Sequence, residues 1–220
     1  GYAALGDNIR GHNNTAIGES ALRKNTCADA NTAVGKSANA CNTTGGCNAS
    51  LGYLALNRNT TGVKNAALGA CSLFSNTVGS CSVGVGYHSL LQATTATNNV
   101  AIGTSTLYSN IHGDCNTAIG YQALYSNKCG NNTAVGFLAL NANTTGYYNT
   151  AIGSLANRCN TTGIQNTAVG MYAMHSNTTA DSNTALGYGA LFSNDDGNSN
   201  TAVGSSALCK TTANATVSYT

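Results

Sequence analysis

The sequence predicts an all-β protein, a parallel β-solenoid of thirteen 17-residue coils forming one domain over residues 1–220. Three observations predict it. A glycine recurs at Gly1, Gly18, Gly35, Gly52, Gly69, Gly86, Gly103, Gly120, Gly136, Gly153, Gly170, Gly187 and Gly204, always 17 residues on except for one 16-residue coil, 120–135. A period this short and strict belongs to a fold in which one repeat makes one coil. Proline is absent, as stacked strands require, because proline withholds a ladder donor. Charged residues are only 7% of the chain, whereas disordered chains are highly charged and rich in proline.

Counting the glycine as position 0, the coil reads N-T-A-[IVL]-G-x-x-A-L-x-x-N-T-T-G followed by two variable residues. Position −1 is aliphatic: Ile17, Val34, Leu51, Leu68, Val85, Ile102, Ile119, Val135, Ile152, Val169, Leu186 and Val203. Position +4 is apolar, as in Leu5, Leu22, Leu56, Leu73, Leu90, Leu107, Leu124, Leu140, Met174, Leu191 and Leu208, with Asn39 and Asn157 as exceptions. These two columns are expected to form the core, each coil burying its apolar face on its neighbours.

Side chains alternate across a strand. If position −1 points inward, so does position −3, and position −2 points out. That outward column is small in every coil but the last, where Tyr219 takes the place: Ala16, Ala33, Ala67, Ala101, Ala118, Ala134, Ala151, Ala168, Ala185 and Ala202, with Ser50 and Gly84 in two others. A solvated column varies in size and carries charge; a small one lets a neighbour pack close, so it is expected to be a flat face for association with copies of the same chain. The alternative, in which the column lines a narrow core, stays open, because periodicity does not say which face is inside.

At position −4 asparagine recurs, from Asn14 and Asn31 to Asn200. Stacked identical amides can bond to one another along the axis, so this column is expected to be a structural ladder. A second glycine column, including Gly45, Gly62, Gly79, Gly146 and Gly163, follows N-T-T and is expected to mark a left-handed turn. The short coil is expected to lose its residue just after that turn, between Gly130 and Asn132.

N-T-A-I-G-Y-Q-A-L, from Asn116 to Leu124, and its sister repeats resemble the head repeats of trimeric autotransporter adhesins and related repeats of phage and giant-virus fibres. The resemblance covers essentially every coil. It implies a left-handed parallel β-roll, trimer formation, and binding to a host surface.

Few residues suggest chemistry. The sequon N-x-[ST] falls in the turn column at Asn42, Asn59, Asn143, Asn160 and Asn177, and also at Asn13, Asn131, Asn214 and Asn48. A turn can hold a glycan outside the coil, so the first five are the expected glycosylation sites; the same N-T-T-G is also good turn sequence. Nine cysteines are many for a reducing compartment. Cys41 with Cys47 and Cys71 with Cys81 are candidate bridges within a coil, and Cys115 with Cys129 between coils; burial as small apolar residues is the other reading. There is no C-x-x-C, and His12, His88, His112 and His175 occupy different phases of the repeat, so neither metal nor cofactor is expected. Aromatic residues recur at position +1 (Tyr2, Tyr53, Tyr87, Tyr121, Phe137, Tyr188), as a contact stripe for a sugar or partner or as half-buried packing.

A net charge of +2 without a basic cluster gives no nucleic-acid footprint, and no apolar run reaches the ~18–20 residues of a membrane span. The expected function is an extracellular, self-assembling, N-glycosylated structural fibre or stalk at a cell or virion surface, its partners being copies of itself in a fibre or trimer. An adhesin or viral fibre that binds a surface receptor or glycan is the alternative. Ice binding is a third reading, suggested by paired threonines such as Thr43-Thr44, Thr60-Thr61 and Thr144-Thr145 but interrupted at Thr77-Val78, Ile111-His112 and Lys128-Cys129. No in-register acidic or histidine cluster supports an enzyme.

Overall fold

The computed structural model describes residues 1–211 and 218–219. It is an all-β parallel solenoid, without a helix among the described residues. Contacts divide the chain into two compact units, Gly1–Asp114 and Cys115–Thr220.

In the first unit, six three-residue strands stack in parallel: β1 (Thr15–Ile17), β2 (Thr32–Val34), β3 (Ala49–Leu51), β4 (Ala66–Leu68), β5 (Val83–Val85) and β6 (Val100–Ile102). Each residue pairs with its equivalent 17 residues on, as Thr15 with Thr32 and Ala16 with Ala33. The second unit stacks β7 (Thr117–Ile119), β8 (Thr133–Val135), β9 (Thr150–Ile152), β10 (Thr167–Val169), β11 (Thr184–Leu186), β13 (Thr201–Val203) and β15 (Ser218–Tyr219) in the same way. There β12 (Ser193–Asn194) pairs in parallel with β14 (Lys210–Thr211). The step from Thr117 to its partner Thr133 is the short one.

The recurrent glycine ends each strand and is required by its backbone. From Gly18 to Gly204 these glycines have φ between 123° and 139°, a region L-residues rarely enter. At Gly52 an added Cβ would also lie 2.7 Å from the carbonyl carbon and oxygen of Gly69 in the next coil. The second glycine column differs from its expectation: its members do not have positive φ. They are small for a steric reason, since a Cβ on Gly62 would run into Gly79 O and Asn59 Oδ1. The left-handed turns are made by non-glycine residues at positions +2, +4 and +12, such as Leu54 (φ 57), Leu56 (φ 53) and Lys64 (φ 58).

The core corrects the expected strand orientation. Position −2 points inward: Ala33, Ala101, Ala118, Ala134, Ala151, Ala168, Ala185 and Ala202 are all at 0% exposure, Ala67 is buried, and Ala16 is partly buried in the first strand. The expected association face is therefore the inner wall of the coil. The reason is size. One large side chain per coil, the position +4 leucine, fills the interior, and only a small residue fits opposite it, alanine in most coils; Leu22 packs with Ala21, Ala33 and Ala38. Alternation then turns positions −3 and −1 outward. Of the two columns expected in the core, +4 is there and −1 is not.

Asparagine fills the rest of the interior in two ladders. At position −4 the bonds run from side chain to backbone, not from amide to amide: Asn48 N donates to Asn31 Oδ1 at 3.0 Å, and Asn48 Nδ2 to Gly62 O at 2.8 Å. The amide-to-amide ladder lies at position +7, where Asn42 Nδ2 donates to Asn25 Oδ1 at 2.9 Å, Asn59 Nδ2 to Asn42 Oδ1 at 2.8 Å, and Asn76 Nδ2 to Asn59 Oδ1 at 2.9 Å. The short coil shows where its residue is missing. In regular coils the +7 amide donates to the carbonyl three residues on, as Asn143 to Gly146, but Asn127 Nδ2 and Asn116 Nδ2 both donate to Cys129 O. The deletion thus lies before Gly130, not after it.

Candidate functional site: an exposed aliphatic face

With position −2 inside, the strands present two columns to solvent. In the first unit the −1 column is half exposed, with Ile17 at 59%, Leu51 at 49% and Leu68 at 46%. In the second unit Ile119, Ile152, Leu186 and Val203 are likewise exposed. Beside it, position −3 carries threonine in every described strand of the second unit from Thr117 to Thr201. In the first unit that column is Thr15, Thr32, Ala49, Ala66, Val83 and Val100. Where Ala49 and Ala66 replace the larger residues, an open apolar depression of about 320 Å³ lies over β2–β4. The three-residue strands carry no charge on this face.

The +1 aromatics border this face and are exposed, Tyr53, Tyr87, Tyr121, Phe137 and Tyr188 among them. In the second unit Tyr121 and Phe137 stack with ring centroids 5.6 Å apart and planes at 14°. About half of each of these side chains is covered, so the column is half-buried as well as open to a partner. In the first unit the same column holds Glu19 and Lys36, paired at 2.9 Å between exposed side chains; the Glu19 carboxylate holds the Lys36 ammonium above its ordinary pKa.

The expected glycosylation sites are not available. Asn42, Asn59, Asn143, Asn160 and Asn177 are fully buried, and the nitrogen a glycan would occupy is the one that builds the +7 ladder: Asn160 Nδ2 donates to Asn143 Oδ1 at 2.8 Å and Gly163 O at 3.0 Å. Asn48 is buried as well. Asn13 and Asn131 are exposed, and Asn214 lies outside the described residues.

The expected disulfides are absent as well: Cys41, Cys47, Cys71, Cys81, Cys115 and Cys129 are all free thiols, exposed or partly so. The partners of each expected pair occupy different positions of the coil, whereas stacking sets each residue over its equivalent in the next coil. Cys47 and Cys81 do share position +12, but they are two coils apart, about 9–10 Å, beyond the ~7 Å limit for bridging. Burial pushes the Cys71 thiol above its ordinary pKa.

The paired threonines do not form a two-hydroxyl rank. The first of each pair turns onto the next coil, Thr43 Oγ1 donating to Thr60 O at 2.9 Å and Thr60 Oγ1 to Thr77 O at 2.9 Å. Only the second, as at Thr44 and Thr61, is exposed.

The histidines are scattered. His88 stacks on Tyr87 at 3.6 Å, His112 Nδ1 lies 2.8 Å from Thr95 Oγ1, and His175 stacks on Phe192 at 5.0 Å. Burial, aided by the Arg158 charge, holds the His175 imidazole below its ordinary pKa. Among the described residues no three of His, Cys, Asp and Glu come together as a metal site would need, and no helix is long and apolar enough to cross a membrane.

The sequence signal for the exposed face is the −1 aliphatic column itself, which lies on the strand as expected but on its outer side. No protein-family model, curated protein or solved structure matches the chain.

Proposed function

We propose that this chain is part of an extracellular structural fibre or stalk that assembles with copies of itself, and that the −1 aliphatic column is the surface of assembly. The observation that carries the reading is the ordered exposure of one aliphatic side chain per strand, from Ile17 through Leu51 and Leu68 in the first unit and again in the second. Contiguous apolar patches beyond a few hundred Å² are uncommon on soluble monomers and mark interaction sites. A second copy presenting the same face is the simplest partner of matching chemistry. The exterior location rests on the resemblance to adhesin and viral-fibre repeats.

The test is the oligomeric state. Sedimentation equilibrium of the intact chain is expected to give a stable oligomer, and Leu51→Lys/Leu68→Lys is expected to weaken it while leaving the far-UV circular dichroism unchanged. A parent that stays monomeric and soluble at high concentration would sink the proposal.

A second reading, an adhesin or viral fibre that contacts a surface glycan or receptor, draws on the stacked, exposed Tyr121 and Phe137. Aromatic faces suit sugar rings and partner side chains alike. Glycan-array binding abolished by Tyr121→Ala/Phe137→Ala would favour it.

A further inference from the structure

Two irregularities of the repeat fall in one coil of the first unit and leave a buried polar gap between them. In most coils the carbonyl at position +10 receives two side-chain amides, and in the coils of Gly35 and Gly187 it still receives the one at +7. Gly62 O takes Asn48 Nδ2 at 2.8 Å and Asn59 Nδ2 at 2.9 Å. Gly79 O takes Asn65 Nδ2 at 2.8 Å and Asn76 Nδ2 at 2.9 Å. Gly113 O takes Asn99 Nδ2 at 2.9 Å and Asn110 Nδ2 at 2.7 Å.

In the coil of Gly86 the equivalent carbonyl belongs to Ala96, and both donor positions have changed: Ser82 stands at −4 and Ala93 at +7. Neither side chain can replace the amide. Alanine has no donor, and Ser82 Oγ is engaged with Ser80 O at 3.4 Å and Asn99 N at 3.3 Å. Ala96 and Ala93 are nonetheless buried. The same change strips the preceding rung. Asn76 Oδ1 faces the place from which an asparagine at 93 would donate, and it is buried without a partner.

We propose that this gap is a built site for a small hydrogen-bond donor, water or ammonium, that supplies Asn76 Oδ1 and Ala96 O with the two protons a ladder amide supplies elsewhere. The site offers acceptors, so its ligand must donate; both acceptors are neutral oxygens, so an anion finds no partner there. Losing one carboxamide to alanine and trimming a second to serine removes volume comparable to the ~30 Å³ share of a water molecule, and two polar partners suffice to hold a buried water. The fully buried Asn39, also unpartnered, has only the apolar Leu22 and Leu56 as its column neighbours and makes no such site.

The test compares the intact chain with Ser82→Asn/Ala93→Asn. In a high-resolution crystal structure of the parent, one density peak is expected within about 2.7–3.2 Å of both Asn76 Oδ1 and Ala96 O. In the double variant the new amides take its place. Thermal melts in ammonium chloride and in sodium chloride at equal ionic strength distinguish the two sources. A higher parent Tm in ammonium, lost in the variant, identifies ammonium; equal melts with the density present identify water. An empty gap in the parent, or Asn76 Oδ1 turned onto a protein donor, overturns the proposal, and the parent structure decides this even if the variant fails to fold.

Discussion

Replacing Asn39 by leucine should make the protein more stable, by an amount that can be worked from the coil. Asn39 takes the +4 position that Leu22 and Leu56 hold in the adjacent coils, and all three are completely buried. Neither Asn39 Nδ2 nor Oδ1 has a hydrogen-bond partner. Each unsatisfied buried group costs ~1–3 kcal/mol, and burying a leucine side chain contributes ~1.5–3 kcal/mol. Against this stands the backbone: Asn39 has φ 47, and asparagine tolerates the left-handed region better than leucine by roughly 1 kcal/mol. That penalty is bearable, since Leu22 at φ 50 and Leu56 at φ 53 already adopt the same conformation. Even at the low end of each favourable contribution, Asn39→Leu gains about 2–3 kcal/mol. Urea unfolding followed by circular dichroism should show the midpoint moving up with little change in slope. Asn157, unpartnered and buried between Leu140 and Met174 in the second unit, is an independent repeat of the experiment. A midpoint that stays or falls in both variants would mean that these amides have partners and that the interior is not the alanine-leucine core described above.

Three further outcomes are expected. Asn59→Ala should destabilise by about 2–4 kcal/mol, because it strips a donor from Asn42 Oδ1 and an acceptor from Asn76 Nδ2; Asn76→Ala should cost roughly 1 kcal/mol less, since no protein donor is left unpaired when Asn76 Oδ1 is removed, and urea titrations of the two variants side by side check the order. Folded protein recovered from a eukaryotic secretory host should carry no glycan on Asn42, Asn59, Asn143, Asn160 or Asn177, as glycopeptide mass spectrometry would reveal, because those side chains are buried. Lowering the pH should weaken the second unit through His175: its pKa is depressed in the fold, so the unfolded chain binds the proton first, and stability present above about pH 6.5 is lost as the pH falls through the folded value. His175→Gln should flatten that part of the pH-stability profile.

Much of the fold was legible because the repeat is strict. The recurrent glycine fixed coil length, the short coil and the strand ends, and the +4 leucines named the core. What the period could not supply was the direction of the strand. Alternation puts Ile17 and Thr15 on one face and Ala16 on the other, and either assignment satisfies it. The deciding quantity is interior width, set by two asparagine columns and one leucine per coil, and no single residue announces that. The asparagines misled for a related reason. A sequon and a ladder rung have the same local sequence, N-T-T, and differ only in whether the amide points out of the coil or along its axis. Asn59 reads as a glycan acceptor until the stack places Asn42 and Asn76 on either side of it.

This arrangement inverts the usual distribution of polarity and separates stability from assembly. Amides at positions −4 and +7, each bonded along the axis, occupy interior space that a larger core would fill with hydrocarbon, while Ile17, Leu51 and Leu68 stand outside. The coil does not need those aliphatic side chains in order to fold, since its own apolar packing is made by leucine at +4 and alanine at −2 and +3. Their burial free energy is available to a partner instead, at ~25 cal/mol for each Å² covered. Leu51→Lys/Leu68→Lys should therefore leave a folded coil while Leu56→Lys should not, although Leu51 and Leu56 are only five residues apart. If both substitutions unfolded the chain alike, the −1 column would be part of the core and the case for a surface of assembly would fall with it.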